Sequence, residues 1–243
     1  AKEQIELQAH GTYVAYRNIY IREIPLDEMT SLSEEEKTQG FISLFDGTNL
    51  DSWTGNTSGY LIEEGAVVVN PDKAGEGGGG NLYTKEEFAD FIYRFDFQLT
   101  PGANNGIGIH APLEGDAAYV GMEIQVLDNE ADIYKALQTY QYHGSVYGVM
   151  PAKRGFLKPT GEWNQEEIMV KGTQIKVTLN GTVILEGDYA AASKNGTIDH
   201  KEHPGLLRTT GHIGFLGHGD VLRFKNMRVK VLEADKKAKK KKK

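Results

Sequence analysis

FIYRFDFQL, residues 91 to 99, decides the fold. Phe91, Tyr93, Phe95, Phe97 and Leu99 alternate with Ile92, Arg94, Asp96 and Gln98, the period-two pattern of a strand with one packed face and one wetter face. IKVTLNGTVILEG, residues 175 to 187, extends the reading, because Asn180-Gly181 is the preferred pair for a type I′ hairpin turn between runs of alternating apolar residues. With 29 glycines and many short segments of this kind, the chain reads as all-β, a β-sandwich with little helix. Two short helical stretches are expected. SLSEEEKTQ offers Ser31 or Ser33 as a cap followed by acids, and TKEEFAD offers Thr84 as a cap. The run AGEGGGG at 74 to 80 lacks the strand, helix and lysine of a phosphate cradle and reads as a surface loop.

A chain of 243 residues with 39% apolar residues can build its own core. The absence of cysteine excludes disulfides and thiolate metal sites. Seven of the eight residues from Lys236 to Lys243 are lysine, so the remaining chain carries 34 acids against 20 bases, a net charge of −14. An acidic body repels phosphate backbones, which speaks against nucleic acid as partner, and no apolar run reaches spanning length, which speaks against membrane insertion. The lysine run, 234 to 243, reads as a solvated tail.

The two ends of the folded sequence repeat each other. Setting Ile5 on Ile213 places His10-Gly11 on His218-Gly219 and Asn18 on Asn226, with apolar residues matching between them. Apolar parity changes from even (Leu222, Phe224) to odd (Met227, Val229), which predicts a β-bulge near Lys225-Asn226, and the same change recurs around Arg17-Asn18. Residues 1–24 therefore read as a strand-like copy of the C-terminal motif, 25–40 as linker and short helix, and 41–233 as the sandwich.

FISLFDGTNLDSW (41–53), NNGIGIH (104–110), GMEIQVLDN (121–129), SVYGV (145–149), LKPTGEWN (157–164) and GHIGFLGHGDVLRFKNMRVKVLE (211–233) resemble, in order, successive blocks of the 3-keto-disaccharide hydrolase domain family. The likeness runs from Leu32 to Glu233. It implies a concanavalin A-like jelly-roll of two curved antiparallel sheets, a sugar site on the concave face, and an extracytoplasmic setting, periplasmic or secreted. It also makes residues 1–24 look like the end of a preceding tandem copy. The implied activity is cleavage of glycosides oxidised at the sugar 3-position. A 3-ketone acidifies the C2 hydrogen, so a base can remove that proton, the C1 leaving group departs, and water adds. Such a site needs a base, a proton donor and groups that polarise the ketone.

In GMEIQVLDN, Met122, Ile124 and Val126 would face the core, turning Glu123 and Gln125 to the opposite surface. Glu123 is the candidate base and Gln125 a hydroxyl reader, although the same pattern describes a solvated outer face. Asp128 could join them or cap the turn that follows. In NNGIGIH, Asn104, Gly106, Gly108 and His110 share one parity. The family resemblance places arginine where this chain has His110, which weakens a charge-clamping role there. The loop-rich stretch around 140–164 adds His143 as candidate proton donor and Tyr147, Lys153, Glu162 and Trp163 as candidate sugar contacts, although a tryptophan beside a strand start, as Trp163 is, is more often a core residue.

His218 could face the cleft while Asp220 and Arg223 pair structurally. His218-Gly219-Asp220 lacks the second ligand cluster of a transition-metal site, no cofactor is implied, and a structural calcium held by loop oxygens is left open. Two other functions compete: a lectin-like, noncatalytic carbohydrate-binding module, and an ordinary glycoside hydrolase with two carboxyls across the scissile bond.

Overall fold

A computed structural model describes residues 5–8, 10–21, 25, 30–70 and 79–233. It consists of two antiparallel sheets with little helix. The strands in chain order are β1 (Ile42–Ser43), β2 (Trp53–Gly55), β3 (Tyr60–Glu63), β4 (Ala66–Val69), β5 (Leu82–Thr84), β6 (Phe91–Leu99), β7 (Asn104–Ala111), β8 (Met122–Leu127), β9 (Trp163–Lys171), β10 (Gln174–Leu179), β11 (Thr182–Asp188), β12 (His212–Phe215) and β13 (Leu222–Val231). The larger sheet runs β11-β10-β9-β6-β13-β4-β3 with β1 against β13, and the smaller runs β2-β5-β12-β7-β8.

The alternation of FIYRFDFQL places its aromatic residues between the sheets. Phe91, Tyr93, Phe95, Phe97 and Leu99 are buried, and they pack with Ile107, Ile109, Met122, Ile124, Val126, Ile213 and Phe215 of the smaller sheet in one cluster. Phe215 joins the two sheets directly, stacking on Phe224 with ring centroids 4.0 Å apart and on Trp53 at 5.2 Å. Each such ring contributes roughly 1.5–3 kcal/mol by leaving water.

Local chemistry sets the turns. Asn180 and Gly181 both take positive φ, 49° and 82°, as a type I′ hairpin requires. The register of β13 against β6 shifts between Lys225 and Arg228, with Asn226 left-handed at φ 52°, so the parity change in the sequence is a bulge. Asn226 Nδ2 secures it by donating to Asp96 Oδ2 at 2.6 Å.

Helix α1 (Glu34–Gln39) begins at Ser33, whose hydroxyl and Glu36 form a reciprocal capping box. The expected helix after Thr84 is not there. Thr84 closes β5, and its hydroxyl donates instead to the carbonyl of Glu86, an alternative that competes with helix formation. Residues 74–78 of the glycine run, and the lysine tail 234–243, lie outside the described residues.

Candidate active site

The face of the smaller sheet that points away from the core carries a polar pocket. Its floor follows from period two. With Met122, Ile124 and Val126 turned inward, Glu123 and Gln125 of β8 face out beside Asn104 of β7. The walls come from helix α2 (Ala117–Val120), whose N-cap is Asp116, and from Tyr134, Gln141, Tyr147 and His218. The cavity measures about 210 Å³. That is below the roughly 300 Å³ at which drug-sized ligand sites begin, so it suits one sugar ring with the remainder of a glycoside outside.

Glu123 is the dominant group. It is 5% exposed, and no hydrogen bond reaches its carboxyl from any described residue. Burial first, then repulsion from Asp116, pushes its pKa up to about 8. Asp116 is held in place by accepting a hydrogen bond from Ala118 N at 3.2 Å. Room for the Glu123 side chain is made by Gly106 on β7, since a Cβ there would overlap the carboxyl. Two other polar atoms of the lining, Asn104 Oδ1 and Gln125 Oε1, are buried without partners. A buried oxygen without a donor costs about 1–3 kcal/mol, so both oxygens are disposed to accept a hydrogen bond from a hydroxyl brought into the pocket.

Three aromatic residues complete the site. Tyr119 OH accepts a hydrogen bond from Lys201 Nζ at 2.9 Å, and its ring packs on His203, which in turn lies 3.0 Å from buried Asp199. Tyr147 accepts a bond from Gln141 Nε2 at 3.2 Å, and its backbone N–H donates to the Glu123 carbonyl. Burial raises the Tyr147 pKa, offset in part by Gln141. Tyr134 OH donates to the Gly102 carbonyl.

The pocket thus brings together Asn104, Glu123, Gln125, Tyr147 and His218 from the sequence expectations, and adds Asp116, Tyr119, Tyr134, Gln141 and, behind the wall, Lys201. Other expected residues lie elsewhere. His110 breaks the alternation of NNGIGIH: it is left-handed at φ 49°, and the register of β7 against β12 shifts beside it. The imidazole is buried against Phe91, its two nitrogens 2.9 and 2.7 Å from the carbonyls of Arg208 and Ala89.

His143 is enclosed between the sheets, its Nε2 2.9 Å from Glu166 Oε2 and its ring over Phe97, although the pair is not aligned as a linear hydrogen bond. A proton donor to substrate cannot work from there. Asp128 caps its turn, accepting from Gly102 N at 2.9 Å and from Glu130 N.

Lys153 and Glu162 are exposed away from the pocket, and Trp163 sits on the outer face of the larger sheet beneath Lys225. Asp220 and Arg223 do not pair. Asp220 accepts from Asn104 N, and Arg223 reaches Glu64. A larger groove of about 1000 Å³ runs past Asp128, Ile133 and Leu157. Its acids either cap the turn, as Asp128 does, or stand in solvent, as Glu130 and Asp132 do, so the smaller pocket with its buried Glu123 is the better candidate for chemistry. No three acidic or histidine side chains among the described residues converge as a metal site would need.

Residues 40–230 match the model of the 3-keto-α-glucoside-1,2-lyase-like domain. The chain belongs to that family. It is 32% identical over 250 residues, with 88% of this chain and 86% of the other covered, to a 3-keto-disaccharide hydrolase of Bacteroides thetaiotaomicron. Among solved structures it resembles two putative glycosyl hydrolases of Parabacteroides distasonis. One is 24% identical with TM-score 0.72, covering 84% of this chain and 99% of that one, and the other is 25% identical with TM-score 0.68, covering 79% and 99%. Membership makes this lyase-like domain a glycoside-cleaving enzyme of the hydrolase type, carried on a β-sandwich.

Proposed function

We propose that the chain cleaves 3-keto-glycosides, including 3-keto-disaccharides, at the Glu123 pocket by proton abstraction, elimination and hydration. The observation that carries this reading is one buried acid of pKa about 8 in a pocket whose other polar groups are three amides, three phenols, Asp116 and His218. A base of that strength is matched to a hydrogen acidified by a neighbouring ketone, because proton transfer is most effective when the base titrates near the working pH.

In the proposed cycle the ionised Glu123 carboxylate takes the C2 proton, and the electron pair moves toward the C3 carbonyl, whose oxygen receives hydrogen bonds from the Gln125 or Asn104 amide. The C1–O bond then breaks. Tyr119 gives its hydroxyl proton to the departing oxygen, and Lys201, already bonded to that hydroxyl, offsets the charge left behind. Water adds to C1 of the enone, giving its proton to the Tyr119 phenolate, while protonated Glu123 returns a proton to C2, so the sum is hydrolysis and both side chains regain their starting states. The orphaned oxygens of Asn104 and Gln125 accept sugar hydroxyls.

Incubation with a 3-keto-disaccharide and with the same disaccharide unoxidised tests the reading: cleavage of the keto form alone supports it, and binding of both without cleavage contradicts it. One observation favours a second reading. Asp116 and Glu123 share the pocket, as two carboxyls of an ordinary glycosidase would, and cleavage of the unoxidised sugar at a comparable rate would select that chemistry.

A further inference from the structure

We infer that the segment from Ile5 to Ile21 is a closing strand pair made for a second sandwich of this fold, one that lacks its own last two strands and carries a residue smaller than tyrosine at the position of Tyr83. The likeness of the two ends extends from sequence to backbone. Gly11 and Gly219 are both left-handed, at φ 81° and 86°, and so are Asn18 and Asn226, at 54° and 52°. A left-handed asparagine two residues past an even-parity apolar run is the bulge device of β13, and the copy holds the same conformation with no ladder to enforce it.

Burial separates the two. Ile213, Phe215, Leu222, Phe224, Met227 and Val229 are all fully buried, whereas their counterparts Ile5, Leu7, Val14, Tyr16, Ile19 and Ile21 are all exposed and form no strand. Six apolar side chains in water on a segment with a strand's spacing are a surface awaiting a partner.

The partner is specified by topology. The copied motif crosses from one sheet to the other, since β12 lies between β5 and β7 of the smaller sheet while β13 lies between β6 and β4 of the larger. Addition to a free edge would satisfy half of it at most, so the acceptor is a sandwich with both gaps. In this chain both gaps are filled, and a second copy of this chain is a poor host for another reason. The counterpart of Gly214 is Glu6, and a Cβ at 214 would lie 2.4 Å from the buried Tyr83 ring. The counterpart of Gly217 is Ala9, and a Cβ at 217 would lie 2.1 Å from the Gly79 carbonyl oxygen. The acceptor therefore has this fold but a roomier wall behind the β12 slot.

Two measurements test the inference. In a full-length chimera, Leu222–Val231 is replaced by the sequence of Val14–Glu23. It should unfold cooperatively with a melting temperature within about 10 °C of the parent, while the same chimera with valine at the bulge asparagine should lose considerably more. Equal collapse of both chimeras would overturn the inference. In the unaltered chain, amide exchange across Tyr13–Ile21 should be fast at every protein concentration while Phe224–Val231 is protected. Protection of 13–21, in the monomer or in a concentration-dependent dimer, would overturn it by showing that this chain hosts its own copy.

Discussion

The carboxyl of Glu123 fills the space that a side chain at position 106 would need: a Cβ built on Gly106 would lie 2.0 Å from Oε1. The glycine on β7 and the acid on β8 are thus one device, in which a missing side chain gives a buried carboxyl its pocket. Gly106→Ala should displace the carboxyl and lower kcat by at least about tenfold, because small misplacements of a reacting group are costly. Stability should fall by only about 1–3 kcal/mol, as for overpacking elsewhere. Turnover and urea unfolding on the same sample check both.

Removing the base without changing its shape is a sharper substitution. Glu123→Gln should reduce turnover of a 3-keto-disaccharide by roughly 10²–10⁴-fold if the carboxylate takes the proton. In the wild type, kcat/KM should rise with pH and level off above about 8, since the base acts only when ionised and the folded protein holds its proton until then. The same shift has a stability consequence. The folded pKa lies above the ordinary glutamate value of 4.5, so the folded state binds the proton more tightly than the unfolded state. Wild-type stability from this group is therefore lost as pH rises from about 4.5 through 8, and Glu123→Gln should gain on the wild type across that window, as paired melts at pH 5 and pH 8.5 would show.

Tyr119→Phe removes the proposed leaving-group proton. It should slow glycosides with poor leaving groups far more than those with a nitrophenol, which departs without protonation, and Lys201→Met should show a weaker form of the same pattern. An equal loss for both leaving groups would assign Tyr119 to binding alone. Tyr147→Phe serves as the comparison, since that hydroxyl also faces the pocket.

His143→Ala should behave as a stability variant. It strands Glu166 between the sheets, and breaking a buried pair from one side costs about 3–5 kcal/mol. The fraction that remains folded at low temperature should retain wild-type kcat.

The residues legible from sequence are those governed by strand alternation. Glu123, Gln125 and Asn104 face the pocket because the core-facing partners Met122, Ile124 and Ile107 fix their side. His110 was misplaced by the same rule, because a left-handed residue at the strand end turns the side chain to the other face, and no local signal marks a histidine for that. His143 is settled by an inward-facing glutamate on a distant strand, Glu166, a meeting that spacing along the chain does not encode.

Asp116 and Tyr119 arrive on a helix of four residues, too short for periodicity to reveal. Their signal was the capping aspartate before Ala-Ala-Tyr-Val. The bulge in β13 was legible because it leaves a parity change in the sequence itself.

The most direct test of the central claim uses a 3-keto-disaccharide deuterated at C2 of the cleaved sugar. Abstraction of that hydrogen by Glu123 predicts a primary isotope effect above about 2 on kcat/KM when chemistry limits the rate, with solvent hydrogen replacing the label at C2 in product sampled early. Cleavage with no isotope effect, and with the C2 label fully retained in the product, would contradict the account.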